Sequence, residues 1–276
     1  MNTIKNIKQS ESWNPPSGGR GALKKLLNIL LFIPIAVFSQ QDSVLSGAYK
    51  WNDPATAKKN KISSVILLEG KVHDFEWMQL TANSFISTSK KLKQAVPSDQ
   101  ELLIIIKSGI LNIQIGDSSY SLNPGSVAVL MPGEKYSINS QQPCSFYTMK
   151  YRSKAPMDLE RAEKNGGSIV RQWNNIPFKP NNNGGGRRDY FEQPTVMQKR
   201  FEMHVTTLKE GVRSHDPHTH RAEEIVLMIE GDTEMQIGDK FYKGKTGDFY
   251  YLGSNVLHAI KNVGTKPCMY FAFQFE

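Results

Sequence analysis

Cysteine and histidine are both scarce, two and six in 276 residues, and each scarcity excludes something. Two cysteines cannot build a disulfide scaffold or a cysteine-rich zinc site. Cys144 and Cys268 each fall in an apolar, strand-like run, at the same place of a repeated pattern. That placement predicts buried free thiols rather than a bridge. A membrane helix needs about 20 apolar residues, and the run from Leu26 to Phe38 falls short of that. A concentrated stripe of basic charge is missing as well. The net charge is +8, but residues 1–39 carry Lys5, Lys8, Arg20, Lys24 and Lys25 against Glu11, and without them the charge is +4. The remaining basic residues are scattered and not interleaved with aromatics, so nucleic acid is not an expected partner. Charged residues make up 22% and hydrophobic ones 39%, a balance that predicts a packed globular chain rather than a disordered one.

The run Leu26–Phe38 follows Lys24 and Lys25 and ends at the small residue Ser39. A basic flank, a short apolar core and a small residue are the parts of a secretory signal. The sequence therefore predicts export to a periplasm or cell envelope, with no stable membrane span after cleavage. The polar lead of residues 1–20 is long for such a signal, and translation starting nearer Lys24 is the alternative reading.

The few histidines are not spread evenly. His215, His218, His220 and His258 fall in or beside one constellation with Glu224. On a strand, alternate residues share a face, so His218, His220 and Glu224 are predicted to point the same way, with His258 arriving from a later strand. Three imidazoles and a carboxylate suit one divalent transition metal: Mn, Fe, Ni, Cu or Zn. With an octahedral ion, four protein ligands leave two positions for water or substrate, the arrangement of a catalytic site. With tetrahedral zinc they close the shell.

Set against itself at an offset of 122 residues, the chain aligns 103–139 with 225–261 without a gap. Gly109, Gln114, Ile115, Gly116, Asp117, Tyr120, Gly125, Leu130 and Ile138 match Gly231, Gln236, Ile237, Gly238, Asp239, Tyr242, Gly247, Leu252 and Ile260. Unrelated segments of this length share about two identities, so the chain is an internal duplication. Phe75-Glu76 and Pro143-Cys144 echo Phe201-Glu202 and Pro267-Cys268, which extends each repeat outward. At the same offset the four donors correspond to Val96, Ser98, Leu102 and Tyr136. That set holds no metal. The first repeat keeps the glycines and the core pattern without the histidines, so folding alone does not demand them.

Apolar runs at 102–106 and 225–229, turns at Ile115-Gly116-Asp117 and Ile237-Gly238-Asp239, and regularly spaced glycines predict short antiparallel strands closed into a sandwich or barrel. The order Gly211, His218, His220, Glu224, Gly231 resembles the first sequence motif of the cupin superfamily. Gly247, Asn255, His258, Asn262 is similar to its second motif. The resemblance covers about 75–150 and 195–276 and implies a bicupin: an all-β chain of two tandem jelly-roll barrels, the first without metal ligands. The expected division is a signal and lead at 1–39, an N-terminal cupin domain at 40–155, a linker at 156–190 with its most flexible part at 181–186, and a metal-bearing C-terminal cupin domain at 191–276. A blank first repeat, a metal-bearing second and the ending 270–276 resemble the ureidoglycine aminohydrolase-like bicupins. Those typically order their ligands Glu, His, His, Gln, whereas this chain has His218, His220, Glu224, His258.

The functional expectation is a metal-dependent enzyme acting on a small polar metabolite such as a sugar acid or a ureide, with isomerase, hydrolase and dioxygenase chemistry all open. The alternative is a module that holds metal and ligand without turnover. A third reading is a structural subunit that pairs through its barrel edges as a homo-oligomer. Tyr251 and His215 are the residues expected to handle protons. Tyr250 shares the strand of Tyr251, and His204 alternates on the strand 201–207. Arg187, Arg188 and Arg213 are the guanidinium groups available for a carboxylate. Met228, Met235 and Phe273 are expected in the core.

Overall fold

The computed structural model describes residues 43–54 and 61–276. The expected signal at 1–39 lies outside the described residues. The first half holds β1 (Gly47–Tyr49), β2 (Ser63–Gly70), β3 (Phe75–Phe85), β4 (Leu92–Ala95), β5 (Glu101–Ser108), β6 (Leu111–Ile115), β7 (Ser118–Leu122), β8 (Val127–Leu130), β9 (Lys135–Asn139) and β10 (Cys144–Ser153). A short helix α1 (Leu159–Lys164), β11 (Ile169–Arg171), β12 (Lys179–Pro180) and β13 (Gly186–Gln193) follow. The second half continues with β14 (Phe201–Leu208), β15 (Glu223–Glu230), β16 (Asp232–Ile237), β17 (Lys240–Lys245), β18 (Phe249–Leu252), β19 (His258–Asn262) and β20 (Cys268–Phe275).

Every strand pair between these elements is antiparallel. The strands form two barrels of the cupin jelly-roll type. The first combines a six-stranded sheet, β11-β8-β5-β10-β3-β2, with a four-stranded one, β4-β9-β6-β7. The second combines a seven-stranded sheet, β1-β18-β15-β20-β14-β13-β12, with a three-stranded one, β17-β16-β19.

Alternation along the strands sorts side chains into three cores. On β15, Val226 and Met228 turn into the second barrel with Tyr250, Leu252, Tyr270 and Ala272. Ile225 and Leu227 turn the other way, into a core shared with Leu103, Ile105, Tyr147 and Met149 of the first half. The two large sheets thus face each other across this shared core. It explains why β5 and β15 read as unbroken apolar runs: both of their faces are covered. Inside the first barrel, Val96, Leu102, Ile104, Leu130 and Phe146 pack against one another. Val96 and Leu102, the counterparts of His218 and Glu224, fill the space with hydrocarbon.

The halves are interlocked in a reciprocal way. β1, the start of the first repeat, pairs with β18 of the second barrel, Gly47 opposite Tyr251. β11, the start of the second, pairs with β8 of the first barrel, Ile169 opposite Val129. Both registers differ by the same 122 residues. Each repeat thus donates its leading strand to the other's barrel, and the expected linker at 156–190 is structured: β11 completes one large sheet while β12 and β13 extend the other. Residues 181–186, expected to be its most flexible part, form an ordered turn in which Asn181 Oδ1 accepts from the backbone N–H of Asn183 and Gly185, both at 3.0 Å.

Two buried carboxylates repeat the exchange. Glu101 accepts from Tyr151 Oη (2.5 Å), from Thr195 Oγ1 (2.9 Å) and from the N–H of Met197 (3.1 Å) in the second half. Glu223 accepts from Tyr251 Oη and from the N–H groups of His73 (2.7 Å) and Asp74 (3.1 Å) in the first. Burying a carboxylate is costly unless it is hydrogen-bonded, and here a tyrosine of its own repeat and a loop of the opposite repeat supply the partners. Cys144 and Cys268 are buried free thiols in separate barrels, as expected. Burial pushes them up to about 12 and about 11 respectively.

Candidate metal centre

His218 and His220 precede β15 rather than lying on a continuous strand with Glu224. Backbone contacts hold the segment in place instead. His218 and His258 form an antiparallel bridge, with N–H to O distances of 3.1 and 3.0 Å in the two directions. The N–H of Asn255 donates to the carbonyl of His220 at 2.8 Å. Asn255 does so from a φ of +58°, a left-handed conformation usually taken by glycine and tolerated by asparagine.

One ligand atom each from His218, His220 and His258 lies within 4.8 Å of the others. Glu224 adds its carboxylate, Oε2 standing 3.1 Å from His220 Nε2 and 3.3 Å from His258 Nε2. His220 Nδ1 and His258 Nδ1 are 2.8 Å from the carbonyls of Ala222 and Val256. Such outer contacts fix an imidazole's tautomer and turn its Nε2 toward a shared centre. His258 Nε2, although near Glu224, lacks the alignment of a hydrogen bond, and it and His218 Nδ1 are buried polar atoms without a partner. Buried nitrogen without a partner is costly, and a bound cation would satisfy it. The donor set fits a divalent metal.

Electrostatics agree. Burial pushes Glu224 up, but the hydrogen bond with His220 and the closeness of the His220 and His258 imidazoles outweigh it and hold the carboxyl at about 2. The contact with Glu224 raises His220. Burial, followed by the neighbouring imidazoles, lowers His218. The site is a carboxylate kept ionised among imidazoles, the protonation state that metal binding requires of it.

A cavity of about 450 Å³ adjoins this centre, lined among others by His204, Ser214, His215, Tyr270 and Gln274. His215 lines it, its ring centroid 4.1 Å from that of His218. Tyr251 does not. Because Glu224 faces into the barrel, the alternation that puts Tyr250 on the same side turns Tyr251 into the shared core, where its hydroxyl is spent on Glu223. The tyrosine that lines the cavity is Tyr270 on β20. Counting alternate positions from Cys268, a predicted core residue, places Tyr270, Ala272 and Gln274 inside. Tyr270 and Gln274 are the residues the sequence reading missed. Arg188 stacks on Trp173 instead, its guanidinium 4.5 Å from the ring centre, while Arg187 lines the cavity.

Residues 204–273 match the family model of the cupin domain. No curated protein matches the chain. Among solved structures, a cupin 2 conserved barrel domain protein from Leptotrichia buccalis is similar over 80% of this chain and 92% of its own, with 12% identity and a TM-score of 0.55. AerE from Microcystis aeruginosa is similar over 84% of this chain and 97% of its own, at 15% identity and a TM-score of 0.58. Oxalate decarboxylase from Bacillus subtilis covers 86% of this chain with 79% of its own length, at 12% identity and a TM-score of 0.59. Residues 204–273 are therefore a cupin domain, and the chain as a whole has the two-barrel cupin fold. At these identities the likeness speaks for fold alone.

Proposed function

We propose that this protein is a metal-dependent enzyme whose second barrel holds one divalent transition ion, Mn, Fe, Ni, Cu or Zn, on His218, His220, Glu224 and His258. The observation that carries the reading is the convergence of three imidazoles and an ionised carboxylate beside a cavity of about 450 Å³. When bound, such an ion polarises a substrate oxygen or nitrogen as a Lewis acid and adds redox chemistry if it is iron, copper or manganese. The protein's own groups orient the substrate, and His215 and His204 stand where a proton can be taken or given. Titratable groups lining the same cavity favour turnover over simple holding of a ligand.

The substrate is a small polar metabolite, of sugar-acid or ureide type. The ureide follows from the resemblance to ureidoglycine aminohydrolase-like bicupins, and the presence of an oxalate decarboxylase among the structural neighbours is in keeping with a small acid. Export rests on Lys24, Lys25 and the apolar run 26–38, and cell fractionation tests it. Among the described residues no helix is long and apolar enough to cross a membrane.

Metal analysis of the purified full chain should give about one transition ion per chain, and His220→Ala should lose it while keeping its β-sheet circular dichroism. A metabolite screen with and without chelator then tests turnover. Full metal retention by the variant, or activity indifferent to thorough metal removal, overturns the reading.

A further inference from the structure

The wall of the cavity away from the imidazoles is built by a part of the chain outside the cupin-domain match. Lys179 on β12 and Arg187 on β13 line it, both brought there by the hairpin turn at 181–186. β13 carries Arg187 and Asp189 opposite Thr206 and His204 of β14. The face of β14 that carries His204 and Thr206 is the one turned into the barrel.

Glu202, on that same face, is buried and shared. It accepts from Arg187 Nη2 at 2.7 Å and contacts His204 Nδ1 at 2.7 Å. Asp189 holds Arg187 Nε and, at 2.8 Å, Lys179 Nζ. One edge of the guanidinium, Nε and Nη2, is thus held by carboxylates. Its remaining terminal nitrogen, Nη1, has no partner among the described residues. A planar fork anchored along one edge and open at its Nη1 end is a preorganised donor for a carboxylate. Of the side chains that line the cavity, Lys179 and Arg187 are cationic, and Glu224 alone is acidic.

The register supplies a length. Glu224 lies opposite Gln274, which lies opposite Glu202. Neighbouring strands are about 4.8 Å apart, so β14 stands about 10 Å from β15 and β13 about 14 Å from it, and because Arg187 pairs with Thr206, four residues or about 13 Å along β14 from Glu202, its backbone lies about 20 Å from that of Glu224. The Arg187 side chain covers part of that span by leaning back to Glu202, and the cavity of about 450 Å³ that both Arg187 and Glu224 line is of a size for a short-chain molecule.

Resting on the metal-site reading above, we propose that the substrate is a small molecule with a carboxylate at the end remote from the metal position, and that Arg187, aligned by Glu202 and Asp189, is the group that binds this carboxylate. His204, held through Nδ1 by the same Glu202, lines the same cavity. A sugar acid meets this description. A ureide meets it only if it also ends in a carboxylate.

The test uses the full chain loaded with Co(II) and two probes of equal length, succinate and its half-amide succinamate, titrated by calorimetry. The parent protein should bind succinate at least about tenfold more tightly, the scale of one hydrogen bond to a charged group. Arg187→Met should bring the two probes within about threefold of each other with Co(II) content unchanged. Arg187→Lys, which keeps the charge without the fork, should fall between and guards against a folding defect. A parent that loads Co(II) but binds both probes alike, or an Arg187→Met that keeps the preference, overturns this assignment alone. A chain that takes up no Co(II) overturns the metal reading beneath it.

Discussion

At the scale of single residues, the site depends on which side of β15 a carboxylate faces. Glu223 and Glu224 are adjacent and both buried, yet one clamps a loop of the other repeat and the other joins three imidazoles. Glu224→Gln keeps the shape and removes the charge. It should weaken Co(II) or Zn(II) affinity by at least about tenfold in a competitive chelator titration, whereas Glu223→Gln should leave that affinity within about twofold while lowering stability by about 1–3 kcal/mol in urea. The convergence of His218, His220, Glu224 and His258 was legible in the sequence because histidine is so rare elsewhere and because the first repeat shows the same frame without them. Tyr251 was misjudged for a physical reason. Tyr250 and Tyr251 are neighbours on a strand, and only the pairing of Glu224 with Leu252 decides which tyrosine shares the side of Glu224.

At the scale of elements, the repeated glycines differ in what they are for. Gly231 has a φ of +86°, and a Cβ there would lie 2.7 Å from Cys268 Cβ and 2.9 Å from its Cα. Gly238, at a hairpin tip with a φ of +56°, would meet nothing within 4 Å. Gly231→Ala combines backbone strain with a clash against β20 and should cost roughly 2–3 kcal/mol of unfolding free energy. Gly238→Ala carries only the strain and should cost about 1 kcal/mol. Equal costs in chemical denaturation would show that the contact with β20 is relieved by movement. Strands, turns and the duplication were readable because period and glycine spacing are local signals. The strand exchange was not, since β1 meets β18 some two hundred residues away and a three-residue strand has almost no pattern of its own. The echo of Trp51-Asn52 by Trp173-Asn174, at the same offset of 122, was the signal available.

At the scale of the whole molecule, the halves are joined by polar contacts as well as by the shared core. Arg221 of the second half binds Asp74 of the first through both guanidinium nitrogens at 2.8 Å and reaches Glu276 at 3.2 Å. Burial alone would push Asp74 up, but Arg221 outweighs it and holds the carboxyl below its ordinary value of 3.8. A folded-state value below the unfolded one means stability that is complete above about pH 4 and lost as the pH falls through the folded value. Arg221 is half-exposed, so solvent screening limits the term to about 0.5–1 kcal/mol. Asp74→Asn should therefore be less stable than the parent at pH 6, and the difference should shrink toward pH 3. A gap that stays constant across that range would remove the ion pair as its cause.

The crossed leading strands carry one more consequence, for anyone who would divide this chain. A proteolytic nick in the short stretch between α1 and β11 would not release two products, because each would still be threaded into its counterpart. Expressed alone, either portion would bare the backbone edge of β8 or β18 that the missing portion normally covers, an invitation to clump. Mixed during refolding, the two should reassemble by fragment complementation.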